Sequence, residues 1–227
     1  MQRPMTISIL LACGAIGPLV FIIAFLIEGA TRPGYSAWHD YVSALSLGSQ
    51  GWMQTLTFFV CGVLTLGFAI GLRRVLLVGH GATWRPRLVG AFGFALIAGG
   101  LFPTDPSLGY PSGELSTPTV HGTLHILASL VAFGGLATAS FVLARRFAGD
   151  PRCRGWAVYS IVTGILVVVF YITATVAGML DANGVIANAP AGLLQRLSIV
   201  AGFGWLTLFA LRLLRKGSTS VSAARHP

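Results

Sequence analysis

Six stretches of the chain run apolar with no regular polar alternation. They cover roughly residues 5–27, 52–72, 88–104, 120–144, 155–180 and 192–214. A helix needs about 20 apolar residues to cross the hydrocarbon core of a bilayer, with ~17–25 tolerated. Five stretches meet that length. The third is short and glycine-rich and is marginal, and the sixth carries Arg196 inside its first turns. Backbone polar groups in lipid must pair within their own segment, which predicts helices. A β-barrel would need polar and apolar residues to alternate, and these runs are continuous. The pattern therefore predicts an all-α, polytopic transmembrane bundle of six helices over residues 1–216. A small polar tail, 217–227, is expected to be disordered. The first stretch is too long for a signal-peptide core, and Glu28 spoils an Ala-x-Ala cleavage site ending at Ala30, so it reads as a retained helix.

Composition agrees with the pattern. Hydrophobic residues make up 55% of the chain and charged residues 9%, with a mean hydropathy of +0.80, against ~25% charged in an ordinary soluble domain. The formal charge of +9 raises the question of nucleic acid, but the distribution points elsewhere. Arg3, Arg73, Arg74, Arg85, Arg87, Arg145, Arg146, Arg152, Arg154, Arg212, Arg215, Lys216 and Arg225 all fall on one side of the expected bundle, leaving Arg32 and Arg196 on the other. Glu28, Asp40, Asp105, Glu114 and Asp181 fall on that second side, and Asp150 alone joins the basic one. Basic loops stay in the cytoplasm, which predicts both termini inside, N-in/C-in. Membrane lipids are the expected partners and nucleic acid is not, because no interleaving of aromatic and basic residues of the kind that binds single strands is present. The three cysteines show no CxxC spacing and suggest no disulfide framework.

Candidate chemistry collects on the acidic side. His121-Gly-Thr-Leu-His125 opens the fourth helix, and residues four apart lie one turn above each other on one face. Two imidazoles so placed can share a metal ion, or they can bond to nearby loops. Asp105, in Phe102-Pro103-Thr104-Asp105, is the natural third ligand; as a turn residue it needs no metal. A two-histidine, one-carboxylate group of His121, His125 and Asp105 would suit zinc or iron. After the Pro33-Gly34 turn, Tyr35, Trp38, Val42 and Leu45 recur at helical spacing, which suggests an amphipathic segment lying at the interface. Asp40 and Ser43 on that segment are candidates to assist proton transfer. Arg196 is costly at membrane depth unless it pairs, and Glu28 and Asp181 are the available acids. Arg196 with Glu28 could alternatively hold a substrate headgroup. Gly67 with Gly71, and Ala95 with Gly99, have the small-residue spacing that lets helices approach. No Walker loop, dinucleotide fingerprint or GxSxG elbow is present.

Pro33-Gly34-Tyr35-Ser36, Asp40-Tyr41-Val42-Ser43-Ala44-Leu45, Phe102-Pro103-Thr104-Asp105, His121-Gly122-Thr123-Leu124-His125 and Gly192-Leu193-Leu194-Gln195-Arg196 together resemble the domain-of-unknown-function family 998. That is a set of six-helix prokaryotic membrane proteins with no settled activity. The resemblance extends up to Arg215 and implies a multi-pass protein of the cell inner (cytoplasmic) membrane. A looser likeness to the membrane hydrolases grouped with alkaline ceramidases and progestin-adipoQ receptors implies a zinc held by His121 and His125, with Asp105 and Ser43 as acid and serine. Those proteins have seven helices and a further histidine, and the last helix here has none.

Two main readings follow. One is a metal-dependent hydrolase acting on lipid or lipid-linked substrate at the outer interface. The other is a non-enzymatic protein that binds or transports a lipid or small molecule, or serves as an accessory subunit of a membrane complex. The apolar middle of the spans weighs against an ion channel or proton pump.

Overall fold

The computed structural model describes residues 4–75 and 84–222, with side chains to residue 215. His80 and His226 lie outside the described residues. Six long helices account for most of the chain: α1 (Met5–Thr31), α2 (Gly51–Val75), α3 (Trp84–Leu101), α4 (Val120–Ala148), α5 (Arg154–Ala182) and α6 (Ala191–Ser222). Short 3-10 helices occupy Val42–Ser46 and Pro151–Cys153, and no strand occurs among the described residues. Five helices, all but α3, are long and apolar enough to cross a membrane. α3 carries Pro86 in its first turn, where a missing N–H is harmless, and stops before Pro103, which disfavours helix in the residue preceding it. α6 continues to Ser222, into the stretch expected to be a disordered tail.

Each helix packs on its neighbours in sequence, and α6 returns to α1, so the six close into a ring. Small residues allow the closest approaches. A Cβ at Gly62 of α2 would lie 2.8 Å from the Gly93 carbonyl of α3, and one at Gly71 would lie 3.0 Å from Leu10 of α1. Gly71 thus has the packing role its spacing suggested. Aromatic rings fill the interior. Phe203 of α6 meets Phe21 of α1 at 5.0 Å and Phe92 of α3 at 5.2 Å between centroids, tying opposite sides of the ring together. In its most apolar window α6 is 56% buried and α5 only 28%, so α6 belongs to the core and α5 turns most of its surface outward. Ile161, Val162, Ile165, Val169 and Ile172 on α5 are exposed, as expected of a surface solvated by lipid tails.

The helix ends alternate, which sorts the charges. The ends of α1, α3 and α5 and the starts of α2, α4 and α6 form one end of the bundle, with Glu28, Asp40, Asp105, Glu114 and Asp181. The opposite, basic end carries Arg73, Arg74, Arg85, Arg87, Arg145 and Arg146.

Candidate functional site at the acidic end

The connection from α1 to α2 forms a plug rather than the amphipathic interfacial helix its spacing suggested. Residues 32–41 are turns and extended backbone, and only Val42–Ser46 winds into a 3-10 helix. The Asp40 carboxylate accepts the backbone N–H of Ser36 at 2.7 Å, a local bond that competes with helix. Val42 is 1% exposed and Leu45 0%. Both point down into the ring, while Trp38 stays exposed.

Two arginines hold this plug. Arg32 forms a buried ion pair with Glu28, 3.0 Å apart, and donates to the carbonyls of Leu47 at 3.1 Å and Gln50 at 3.2 Å. Arg196 donates to the carbonyls of Ala37 at 2.6 Å and Asp40 at 3.1 Å and to the Tyr35 hydroxyl. Its guanidinium lies 5.4 Å from the Tyr35 ring centroid and 5.8 Å from that of Phe25. The pairing expected between Arg196 and Glu28 or Asp181 is therefore replaced by carbonyl ligation. Glu28 is already held by Arg32, whose side chain reaches it within one helical turn.

The start of α6 is built for the same contact. Its first N–H groups have no partner within the helix; those of Gly192 and Leu193 donate to the carbonyls of His39 and Trp38, each at 3.0 Å. A Cβ at Gly192 would run into the Asp40 carbonyl, which explains the glycine. Gln195 accepts the Val42 N–H through Oε1 at 2.6 Å. The Gly-Leu-Leu-Gln-Arg run is thus a socket for the plug.

His39 forms a bridge that sequence reasoning did not resolve. Its Nδ1 stands 3.1 Å from Asp40 and its Nε2 3.0 Å from Asp181 at the end of α5. Asp181 also accepts the Ala189 N–H at 2.6 Å. Tyr41 donates to the Ala174 carbonyl at 3.1 Å and fits against Gly178, where any side chain would collide with its hydroxyl. Burial pushes the Tyr41 hydroxyl up to about 12, and that of Tyr35 to about 12 despite the opposing pull of Arg196. Both phenols therefore stay neutral donors at any physiological pH.

The other expected site takes a different form. Both Asp105 oxygens are occupied by Thr119, from its backbone N–H at 2.9 Å and its hydroxyl at 2.6 Å, and the Thr119 hydroxyl accepts the Gly122 N–H at 3.0 Å. This is an N-cap with a carboxylate behind it, favoured by the positive end of the α4 dipole. A Cβ at Gly122 would strike the Asp105 carboxylate. His125 is 6% exposed, with Nδ1 turned to the carbonyls of Phe102 at 2.7 Å and Gly99 at 3.2 Å. His121 is exposed and packs edge-on against Phe102. Among the described residues no three of His, Cys, Asp and Glu form a group that could hold a metal ion. The zinc group expected of His121, His125 and Asp105 finds no support among the described residues: the α4 cap engages the aspartate, and backbone carbonyls engage the Nδ1 of His125.

Beneath the plug lies a partly open cavity of about 50 Å³, several times the ~10–15 Å³ that one water molecule needs. Phe21, Phe58, Phe92, Phe133 and Phe203 form most of its wall, with Ala95, Leu96, Ala128, Ala132 and Ile199. Val42 and Ser43 contribute from the plug, and Gln195, His125 and Ser129 add the remaining polar groups. Ser43 and His125, singled out in the sequence, therefore meet here. Asp40, Arg196 and Glu28 instead hold the plug, and Asp105 and His121 stand at the α4 cap. No sequence signal marks the cavity, because it exists only once the ring closes.

A helical bundle with a membrane-like exterior and a plugged, apolar interior defines the class of protein. Within it, residues 15–212 match the family described as protein of unknown function (DUF998), and the chain belongs to that family. No curated protein and no solved structure matches the chain.

Proposed function

We propose that this protein is a six-span membrane protein, N-in/C-in, that binds an amphiphile in the cavity beneath the plug. It follows the second reading of the sequence, a lipid- or small-molecule-binding protein, and invokes no metal. The observation that carries it is the cavity itself: aromatic and aliphatic walls with a few polar groups gathered near one end, a composition suited to an apolar body and a polar head. The plug sits over that end and is held to α6 by hydrogen bonds at Gly192, Leu193, Gln195 and Arg196, so ligand entry is coupled to its position. Orientation rests on the basic end, since arginine-rich connections stay in the cytoplasm. α3 is about 27 Å long at 18 residues and crosses packed between α2 and α4. A cysteine placed in the C-terminal tail is expected to resist a membrane-impermeant maleimide in intact cells.

The cavity is tested by filling it. Ala132→Phe places a ring in the empty space from α4. A fluorescent alkyl probe is expected to bind the parent protein in amphipol and to lose at least ten-fold in affinity on the filled variant, with helical content and thermal midpoint recorded on both. Equal binding to a folded, filled variant would overturn the reading.

A further inference from the structure

The polar groups of the cavity have fixed hydrogen-bonding roles. Carbonyl oxygens only accept, so the Nδ1 of His125, set between those of Phe102 and Gly99, carries the ring hydrogen. Nε2 of the neutral ring is then a bare acceptor, and among the described residues no donor is bonded to it. Gln195 is oriented in the same way. Its Oε1 takes the Val42 N–H, which turns its NH2 into an open donor. Ser129 has no hydrogen to spare: its hydroxyl donates to the Ile126 carbonyl at 2.8 Å and is 2.9 Å from the Tyr171 hydroxyl, which supplies the hydrogen to that contact. Ser43, on the 3-10 helix of the plug, has no hydrogen bond from its hydroxyl among the described residues and lines the same space. The open valences are one acceptor, one amide donor and one hydroxyl that can do either.

Among the described residues no aspartate, glutamate, lysine or arginine lines the cavity. A charged head would arrive with no counter-charge, and burying an unpaired ion is far costlier than burying a neutral polar group. A purely apolar ligand would leave the His125 and Gln195 groups without partners, at the cost of desolvating both. The ligand that fits has an apolar body and an uncharged head that donates to one group and accepts from another. A hydroxyl does both with a single oxygen.

We infer that the cavity takes an uncharged hydroxyl lipid, of the chemical class of long-chain alcohols, acylglycerols and alkyl phenols. The head lies against His125, Gln195 and Ser43 beneath the plug with the first carbons of the chain among Phe92, Phe133 and Phe203, and the rest of the chain leaves through the cavity's open side. The inference rests on the cavity being a ligand site and adds the class of head it selects.

The experiment is a competition series on the full-length protein in amphipol. Four probes of equal chain length displace the fluorescent alkyl probe: a primary alcohol, its methyl ether, the carboxylate and the trimethylammonium. The alcohol is expected to compete at about ten-fold lower concentration than the ether, the value of one hydrogen bond left unmade, and both charged heads are expected to be weaker than the ether. His125→Phe is expected to abolish the alcohol's advantage over the ether, the ratio of the two being the readout. Ser43→Ala, a smaller change on the plug, is expected to reduce the same preference in part. Where His125→Phe fails to fold, the series on the parent protein and on Ser43→Ala decides. If all four heads compete alike, or a charged head wins, while Ala132→Phe still abolishes binding, the class of head is wrong and the cavity reading stands. If no probe binds, or Ala132→Phe changes nothing, the cavity reading itself fails and this inference with it.

Discussion

Arg196 at the acidic end and Arg85 at the basic end are alike in placement, each an arginine in the opening turns of a helix. Both are buried, at 8% and 0% exposure. Arg196 bonds two carbonyls and a phenol and rests over two aromatic rings. Among the described residues, none of the three guanidinium nitrogens of Arg85 has a hydrogen-bond partner. The chain has only six carboxylates; five lie at the acidic end, and Asp150 accepts the Arg152 N–H and the Cys153 thiol beside the start of α5. A buried cation is therefore not stabilising in itself. Its worth depends on the acceptors the fold brings to it, and the two ends differ in that supply.

The comparison is broken or sharpened first at Arg196. Arg196→Met removes the shared donor of Ala37, Asp40 and Tyr35 and leaves buried carbonyls unpaired. A loss of about 3–5 kcal/mol is expected, as for breaking a buried charged network. Denaturant titration of the detergent-solubilised protein reads it. Arg196→Lys is expected to recover only part, because one ammonium cannot copy the planar fork. A loss below about 1 kcal/mol for Arg196→Met would mean that the plug is held elsewhere.

A smaller effect is expected at the His39 bridge. Asp181→Asn keeps an acceptor for the Ala189 N–H and removes the charge facing His39. The bridge is partly solvated, so about 1 kcal/mol is expected. Faster hydrogen exchange should follow at His39 and Asp40, whose amides bond the Ser36 carbonyl, and at Gly192, whose amide bonds the His39 carbonyl. Unchanged exchange there, with the variant folded, would show that Arg196 alone fixes the plug.

These contacts mark how far the sequence could be read. The helices were legible because lipid demands unbroken apolar runs, and the sorting of charge to two ends followed from loop composition. His121 and His125 were correctly placed at the start of α4, but spacing alone gave no account of what else competes for them. Two carbonyls at the end of α3 claim one imidazole, and Thr119 claims the aspartate. Arg196 was marked as unusual, while its partners were sought among acids and proved to be carbonyls more than 150 residues away in sequence. His39 and Asp181 are separated by 142 positions, and no local pattern announces such a pair. The plug was misread because Tyr35, Trp38, Val42 and Leu45 keep a helical period by coincidence, whereas Asp40 bonds the backbone at Ser36 and turns the chain.

The smallest effect is expected at Arg85, and it is the most discriminating. Arg85→Met swaps an unpartnered buried guanidinium for an apolar side chain of similar length. Nothing in the way of a hydrogen bond is lost, and the desolvation cost of the charge is removed. The expected change in stability is therefore between zero and a gain of about 1–2 kcal/mol, in the direction seen when buried charges are replaced by well-packed apolar groups. Arg146 is close enough for its charge to act on Arg85, so removing one of two like charges works in the same direction. Arg85→Met and Arg196→Met measured under one set of conditions make the contrast internal, because both delete a buried arginine from the first turns of a helix in the same bundle. A loss at Arg85 as large as that at Arg196 would break the comparison. It would mean that an acceptor from outside the described residues, or an anion, completes the guanidinium, and adding phosphate to the parent protein would then raise its thermal midpoint but leave the Arg85→Met variant where it was.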